Sequence, residues 1–459
     1  EQTKSYLQCY FAKSASPPCV LYYDPGRCSI DYVRVSDLAT LYINNHKFTY
    51  CRDGKVVAAF NALAWFKTEF RERIILSFNP TKPVSYEEHG QLHINSFRGY
   101  LHDAVTTPYA EYAPEIKGNV EAICDHLRTV WCGGSVEVYA YLLNWLAQVI
   151  QKRKSTTALY VKSGQGAGKS LFTEWLRKCV IGHKSVLIED DPSQVFGGFN
   201  TRLQGKTLVV LEEMPATSRA LWSAHYEQLK ALVTGSSFTM KEKFLKAWET
   251  ENHTSWIILS NNSPMKIALD DRRIVMLDVA ASRIGDLPYF TELARKMHQG
   301  KTGEAFARFL AEHDIDSFHD AERPATEAKA QTVVDSLPPC LQFVKDEFLA
   351  HGQGFEGGHP TPFAGVYAKY KLWCEHARKT PEGKNKFSRN LCSMLGIRTY
   401  KTQVDKLSTT CLSGTFAELL LTYQTKRWIS EVDDIPTCAE GAAASADELL
   451  VLELGALAL

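Results

Sequence analysis

The rhythm of apolar and polar positions changes along the chain, and each change marks a new region. Up to about residue 110 the apolar runs are short and strand-like. FTYC and KVVAA stand either side of Arg52-Asp53-Gly54, which predicts a hairpin with glycine in the tight position; IILSF (74–78) and LHINSF (92–97) are further strands. From about 113 the period lengthens to that of a helix. Ser135 is placed to cap a helix in which Val138, Leu142, Trp145 and Val149 recur at spacings of four, three and four. The basic run Lys152-Arg153-Lys154 closes it and reads as a solvated helix end, with a phosphate contact as the alternative.

Beyond that point unbroken apolar runs alternate with helical stretches: ALYV (158–161), VLI (186–188), LVVL (208–211) and WIIL (256–259). Such runs suit strands buried on both faces of a parallel sheet. Helical sequence continues to Pro338-Pro339, where a smaller domain begins. There Val366, Tyr370, Trp373 and Ala377 share one helix face, a second helix is centred on 385–395, and strand-like IRTYKTQV follows. The predicted fold class is α/β. Its parts are a strand-rich mixed α+β region (1–110, a collar or the remnant of a longer protein), a helical lead-in (111–154) and a P-loop NTPase core (155–285). A helical tail of the core (286–337), a winged-helix-like DNA-binding domain (338–430) and a flexible tail (431–459) complete the chain.

Composition narrows the classes. Hydrophobic residues at 45% and charged residues at 23% are those of a globular protein in water. Fifty-two basic side chains balance 52 acidic ones, so nucleic-acid contact is expected to be local rather than spread over a basic surface. The apolar stretch ELLVLELGALAL (448–459) is short and carries Glu448 and Glu453, and the N-terminus lacks a signal pattern; no membrane partner is expected, and the setting is cytoplasmic or a host-cell replication site. The chain starts at Glu1 rather than Met, which leaves open a longer protein with domains upstream. Twelve cysteines form no CxxC pair, which favours reduced thiols over a zinc site.

The chemistry concentrates in the third region. ALYV runs into Ser163-Gly164-Gln165-Gly166-Ala167-Gly168-Lys169-Ser170 and then a good helix, LFTEWLRKCV. Glycines at 164, 166 and 168 let backbone N–H groups turn inward around a phosphate. Lys169 would reach the β- and γ-phosphates, and Ser170 would ligate Mg²⁺. Ser163 stands where the first glycine of the strict pattern usually falls. LVVL ends in Glu212-Glu213, a pair suited to supporting the metal and orienting water. WIIL ends in Ser260-Asn261-Asn262, where an amide can meet the γ-phosphate; Arg273, with Arg272 as competitor, is a candidate finger into a neighbouring site. The expected cofactors are ATP and Mg²⁺.

Arg273 follows Lys169 by only 104 positions, and the order is glycine loop, acid pair, basic hairpin, amide strand, arginine. This resembles the superfamily 3 (AAA+-like) DNA helicases of the phage, plasmid and poxvirus-type primase-helicase branch. The strings FNTRLQGKTLVVLEE (199–213), LKALVTGSSFTMKEK (229–243), DDRRIVMLDV (270–279) and GEAFARFLAEHDI (303–315) are similar to that branch. The resemblance implies a hexameric ring driven by ATP and moving 3′→5′ on single-stranded DNA or at a replication fork, with a primase or polymerase as partner. It also implies a pore hairpin, carried here by Lys241, Lys243 and Lys246. Between Arg378 and Lys406 eight basic residues face two acids, and Lys386, Arg389 and Arg398 are the expected DNA contacts there. A replicative DNA helicase is thus the leading expectation. An assembly or remodelling ATPase, an RNA helicase of the same superfamily and a nucleotide-holding scaffold are the alternatives. Residues 1–110 show no acid triad for nucleotidyl transfer and no paired histidines.

Overall fold

The computed structural model describes residues 2–16, 18–24, 29–33, 48–60, 64–65, 73–212, 219–243, 247–261, 271–324, 326, 337–356, 359–404, 406–426, 428–429, 433 and 435–436. The chain divides into two compact units, one of residues 1–262 with 272–324 and one of residues 263–271 with 325–459.

In the first unit, helix α1 (Gln2–Tyr10) leads into strands β1 (Phe11–Ser16), β2 (Pro18–Asp24) and β3 (Ser29–Val33). With β6 (Arg73–Ser77), β7 (Ser85–Glu88) and β8 (Gln91–Asn95) they build a mixed sheet ordered β3-β2-β1-β6-β8-β7. A separate hairpin joins β4 (Phe48–Arg52) to β5 (Lys55–Phe60), and Asp53 and Gly54 at its tip both take positive φ, as the turn signal requires. Two of the expected strands are here, β6 and β8. Helix α1 and the parallel pairing of β1 with β6 carry no local signal.

Helices α2 (Pro114–His126) and α3 (Val136–Ile150) follow. Ser135 caps α3 as expected, its side chain accepting from Val138 N, an interaction worth about 1 kcal/mol. The end of α3 differs from expectation. Lys154 is not solvated: its Nζ donates to Val233 O at 2.8 Å and Gly235 O at 2.6 Å, and burial pushes its ammonium down to about 8. Lys152 pairs with Asp103 at 2.7 Å and lies over the rings of Phe97 and Tyr100. Carbonyls left over at the end of a helix are strong acceptors, and a lysine satisfies two at once.

The centre of the unit is a five-stranded, all-parallel sheet in the order β10 (Val186–Glu189), β11 (Leu208–Leu211), β14 (Ser255–Ser260), β9 (Ala158–Lys162), β15 (Ile274–Asp278). Every residue of β11 and β14 is buried, as the unbroken apolar runs require. Helix α4 (Lys169–Trp175), the short α5 (Ser193–Phe196), α6 (Arg219–Thr234), α7 (Leu287–His298) and α8 (Thr302–Ala311) accompany the sheet, and β12 (Ser237–Met240) pairs with β13 (Trp248–Glu251) as a separate hairpin. One core joins α2, α3, α4, α7 and α8 to the sheet through Trp131, Trp145, Trp175, Phe172 and Phe306. Asp320 fixes the entry to β9, accepting from Ser155 Oγ at 2.8 Å and Thr156 Oγ1 at 2.9 Å.

The second unit contains α9 (Pro339–Glu347), β16 (Thr361–Pro362), α10 (Phe363–His376), α11 (Lys384–Leu395), β17 (Arg398–Val404), β18 (Leu407–Ser413) and α12 (Phe416–Thr425). The three strands form a sheet in the order β16-β18-β17. Phe343, Tyr370, Phe387, Leu391 and Tyr423 form its centre. Val366 and Tyr370 of the expected helix face are buried in it. Among the described residues no helix is long and apolar enough to cross a membrane.

Candidate functional site

In an open parallel sheet the loops leaving the carboxyl ends of the strands make a ligand crevice where the strand order reverses. Here that reversal is at β9, which has β14 on one side and β15 on the other although β10 follows it in the chain. The strand ends are level: Ser260 and Asp278 both pair with Lys162, and Leu211 pairs with Ile258. Backbone bonds carry the alignment one step further, Ser163 N donating to Ser260 O at 3.1 Å and Glu212 N to Glu189 O at 2.8 Å. One edge therefore presents Glu212, Asn261 and the glycine loop together.

Within that edge, Gly168 is in the left-handed region (φ 77°) and forms the N-cap of α4, so Lys169 begins the helix. Lys169 is 8% exposed. Its Nζ donates to Asn261 Oδ1 at 2.6 Å, to Ser260 O at 3.1 Å and to Ser163 O at 3.5 Å. A buried ammonium is costly unless it is bonded, and these three oxygens hold it at the mouth of the loop. Gly164, Gly166 and Ser170 are exposed on the loop and first turn. Glu212 is half-buried directly after β11, and its Oε1 is buried with no hydrogen-bond partner among the described residues. Glu213 and Asn262 lie outside the described residues. The glycine loop, Lys169, Ser170, Glu212 and Asn261 thus gather at one edge.

Arg272 and Arg273 do not join them. They precede β15, whose first residue pairs with Ala158, and Ala158 N donates to Arg273 O at 2.7 Å. They therefore sit at the amino edge of the sheet, the length of β9 away from the loop, roughly 15 Å at strand rise. Lys241 and Lys243 follow β12 and are exposed, while Lys246 lies outside the described residues. Asn200 anchors this hairpin: its Oδ1 accepts from Lys241 N at 2.8 Å and its Nδ2 donates to Thr239 O at 3.0 Å. In the second unit Lys386 and Arg389 are exposed on α11, opposite the buried Phe387 and Leu391, and Arg398 opens β17 in an exposed position. Lys386 is held by Glu382 at 2.9 Å.

Sequence reasoning missed the segment that covers the loop. A Cβ on Gly164 would stand 3.1 Å from Ile284 Cδ1, one on Gly166 would stand 3.8 Å from Gly285 N, and one on Gly168 would collide with the Phe290 ring. Phe290 is supported by His126, whose Nδ1 meets Tyr289 Oη at 3.0 Å and whose imidazole burial pushes down to about 4, so it is neutral. The available signal was Arg283-Ile284-Gly285-Asp286, a turn followed by a capped helix, which straddles the 285/286 domain boundary drawn from sequence. Glu189, buried at the end of β10 and paired with Arg202, was also missed. Among the described residues no group of three His, Cys, Asp or Glu side chains forms a metal site by itself.

Residues 161–273, the span from β9 to the entry of β15, match the model of a family described as a family of unknown function, DUF5906. Over 268 residues the chain is 27% identical to the DNA primase-polymerase of Nitratiruptor phage NrS-1, covering 58% of this chain and 35% of that protein. The chain thus spans about a third of the length of the curated relative it matches. Among solved structures, an A-form apo structure of the NrS-1 C-terminal region has a TM-score of 0.62 at 19% identity, covering 90% of this chain and 98% of that one. A further apo structure of the same region gives 0.61 at 19% identity, covering 89% and 97%. The likeness at this identity is one of fold. These findings correct the superfamily 3 helicase resemblance and the replicative-helicase function built on it: the curated relative is a primase-polymerase, and the fold is that of the NrS-1 C-terminal region. The motif order misled because a glycine loop and strand-end acids report a nucleotide's phosphates and not the work coupled to them.

Proposed function

We propose that this chain is the nucleotide-binding, DNA-contacting C-terminal region of a phage-type DNA primase-polymerase. The observation that carries the reading is Lys169, buried at the mouth of a glycine loop and bonded to Asn261 from the neighbouring strand. In this reading the first unit has a P-loop NTPase core and the second is a winged helix. The loop N–H groups and Lys169 take the β- and γ-phosphates of ATP, and Asn261 fixes the lysine and then faces the terminal phosphate. Ser170 and Glu212 fit a Mg²⁺ ion: a hydroxyl at the first helical turn, and a buried carboxylate oxygen with no partner among the described residues, are the donors a phosphate-bound magnesium uses. When bound, the ion neutralises charge on the phosphates. Arg272 and Arg273, at the opposite edge of the sheet, could reach such a site only from another copy of the chain.

The relative's name as a DNA primase-polymerase supports DNA as the macromolecular partner. Exposed Arg389 and Arg398, with Lys386, Lys241 and Lys243, supply positive charge for its backbone. The test separates the two sites. Fluorescent single-stranded DNA and fluorescent Mg·ATP are titrated with the wild-type chain and with Lys169→Ala. The expected result is DNA binding by both proteins and nucleotide binding by the wild type alone. Failure of the wild type to bind either ligand would remove the proposal.

A further inference from the structure

The cover of the glycine loop presents apolar surface to solvent. Ile284 is 44% exposed and Leu287 74% exposed, although Ile284 touches the loop at Gly164 and Leu287 is only three residues from Phe290, which packs on Gly168. Three polar side chains of the same segment, Arg283, Asp286 and Tyr289, are engaged with one another. Asp286 Oδ1 accepts from Tyr289 N at 3.1 Å, Arg283 Nη1 donates to Asp286 Oδ2 at 2.8 Å, and the Arg283 guanidinium lies 4.4 Å from the centre of the Tyr289 ring. Tyr289 Oη is in turn bonded to His126. Gly285, with φ at 78°, turns the backbone between Ile284, which meets the loop at Gly164, and Leu287, which opens α7 one turn before Phe290.

We infer that Ile284 and Leu287 form the platform for the nucleobase of the nucleotide whose phosphates the glycine loop holds, and that this platform accepts different bases. The inference rests on the phosphate reading of the loop given above. A base stacked on two aliphatic side chains is held through its face, and every base has such a face. Strong discrimination requires hydrogen bonds to the base edge, because unmet polar groups reject the wrong partner far more effectively than a missing apolar contact does. Three side chains of this segment that could read an edge, Arg283, Asp286 and Tyr289, are engaged with one another, which leaves the short Ser282 hydroxyl as the other polar side chain there. The site therefore takes a nucleoside triphosphate as a class, which suits a protein that works beside a polymerising activity using several nucleotides.

The test is calorimetric titration of the whole chain, in Mg²⁺, with ATP, GTP, CTP and inorganic tripolyphosphate. The proteins are wild type, Leu287→Ser and the double variant Ile284→Ser/Leu287→Ser. The serine changes are neutral, so phosphate electrostatics stay the same, and Leu287→Ser alters a side chain exposed enough to leave folding intact. The wild type should bind ATP about tenfold more tightly than tripolyphosphate, with ATP and GTP within about threefold of each other. The double variant should lose about tenfold for ATP and GTP and nothing for tripolyphosphate, with Leu287→Ser in between. Unchanged ATP affinity in the double variant would overturn the platform, and an ATP-over-GTP preference above about thirtyfold would overturn the acceptance of different bases. Absence of binding by both ATP and tripolyphosphate in the wild type would instead overturn the phosphate reading, and the platform with it.

Discussion

The carboxyl edge of the parallel sheet and the α11–β18 portion of the second unit both present cations, and they do so in opposite ways. At the sheet edge Lys169 is buried and bonded to three oxygens that strand register puts in place. On α11 and β17 the cations are many and exposed: Lys386 and Arg389 sit on a helix whose apolar side joins the unit's core, and Arg398 and Lys401 on a strand with no buried residue. The first arrangement suits a compact ligand that must be held in one pose. The second suits a polyanion gripped along its length, where each charge adds a small and salt-dependent share.

The contrast can be broken first at the loop. Gly168→Ala places a side chain in the left-handed region and against Phe290, so it should cost about 3 kcal/mol in urea unfolding and abolish nucleotide binding. Adding Phe290→Leu should recover part of the stability; no recovery would mean that the cover does not press on the loop.

Acid should act on the same corner. His126 has a folded pKa of about 4 against about 6.5 when unfolded, so as pH falls the unfolded chain takes up the proton first. Stability is then complete above about pH 6.5 and is lost progressively toward pH 4, by about 3 kcal/mol from this group. Denaturation midpoints measured across that range should flatten in His126→Gln. An unchanged pH profile in that variant would assign the acid sensitivity elsewhere.

The second unit should respond more weakly to any single change. Arg389→Ala, Arg398→Ala and Lys401→Ala combined should lower single-stranded DNA affinity about tenfold at moderate salt. The same triple variant should reduce the slope of log affinity against log salt by about 2 and leave nucleotide binding intact. The smallest effect is expected from Lys386→Ala, below about threefold, because Glu382 already holds that ammonium. A loss from Lys386→Ala as large as from Arg389→Ala would show that the ion pair opens on DNA.

What could be read from the sequence follows the range of the forces involved. Unbroken apolar runs gave the parallel strands, Ser135 gave a cap, and Asp53-Gly54 gave a hairpin, because each is decided within a few residues. The meeting of Lys169 with Asn261 was legible only as a spacing, since 92 residues separate them and sheet order brings them together. The burial of Lys154 against carbonyls near residue 235 and the folding of Ile284 to Phe290 over the loop had no local mark. The activity was read wrongly for a different reason. A glycine loop beside strand-end acids is built from the same residue types whatever process it serves, so the residues did not decide the activity, and the curated relative pointed to a different one.

The most direct test of the central claim is the affinity of Mg·ATP for the wild-type chain and for Lys169→Ala, measured by calorimetry with unfolding curves to confirm that both are folded. Binding by the wild type that falls at least a hundredfold in the variant is the predicted result. Equal affinity in the two folded proteins would show that the nucleotide does not use the glycine loop, and would contradict the account.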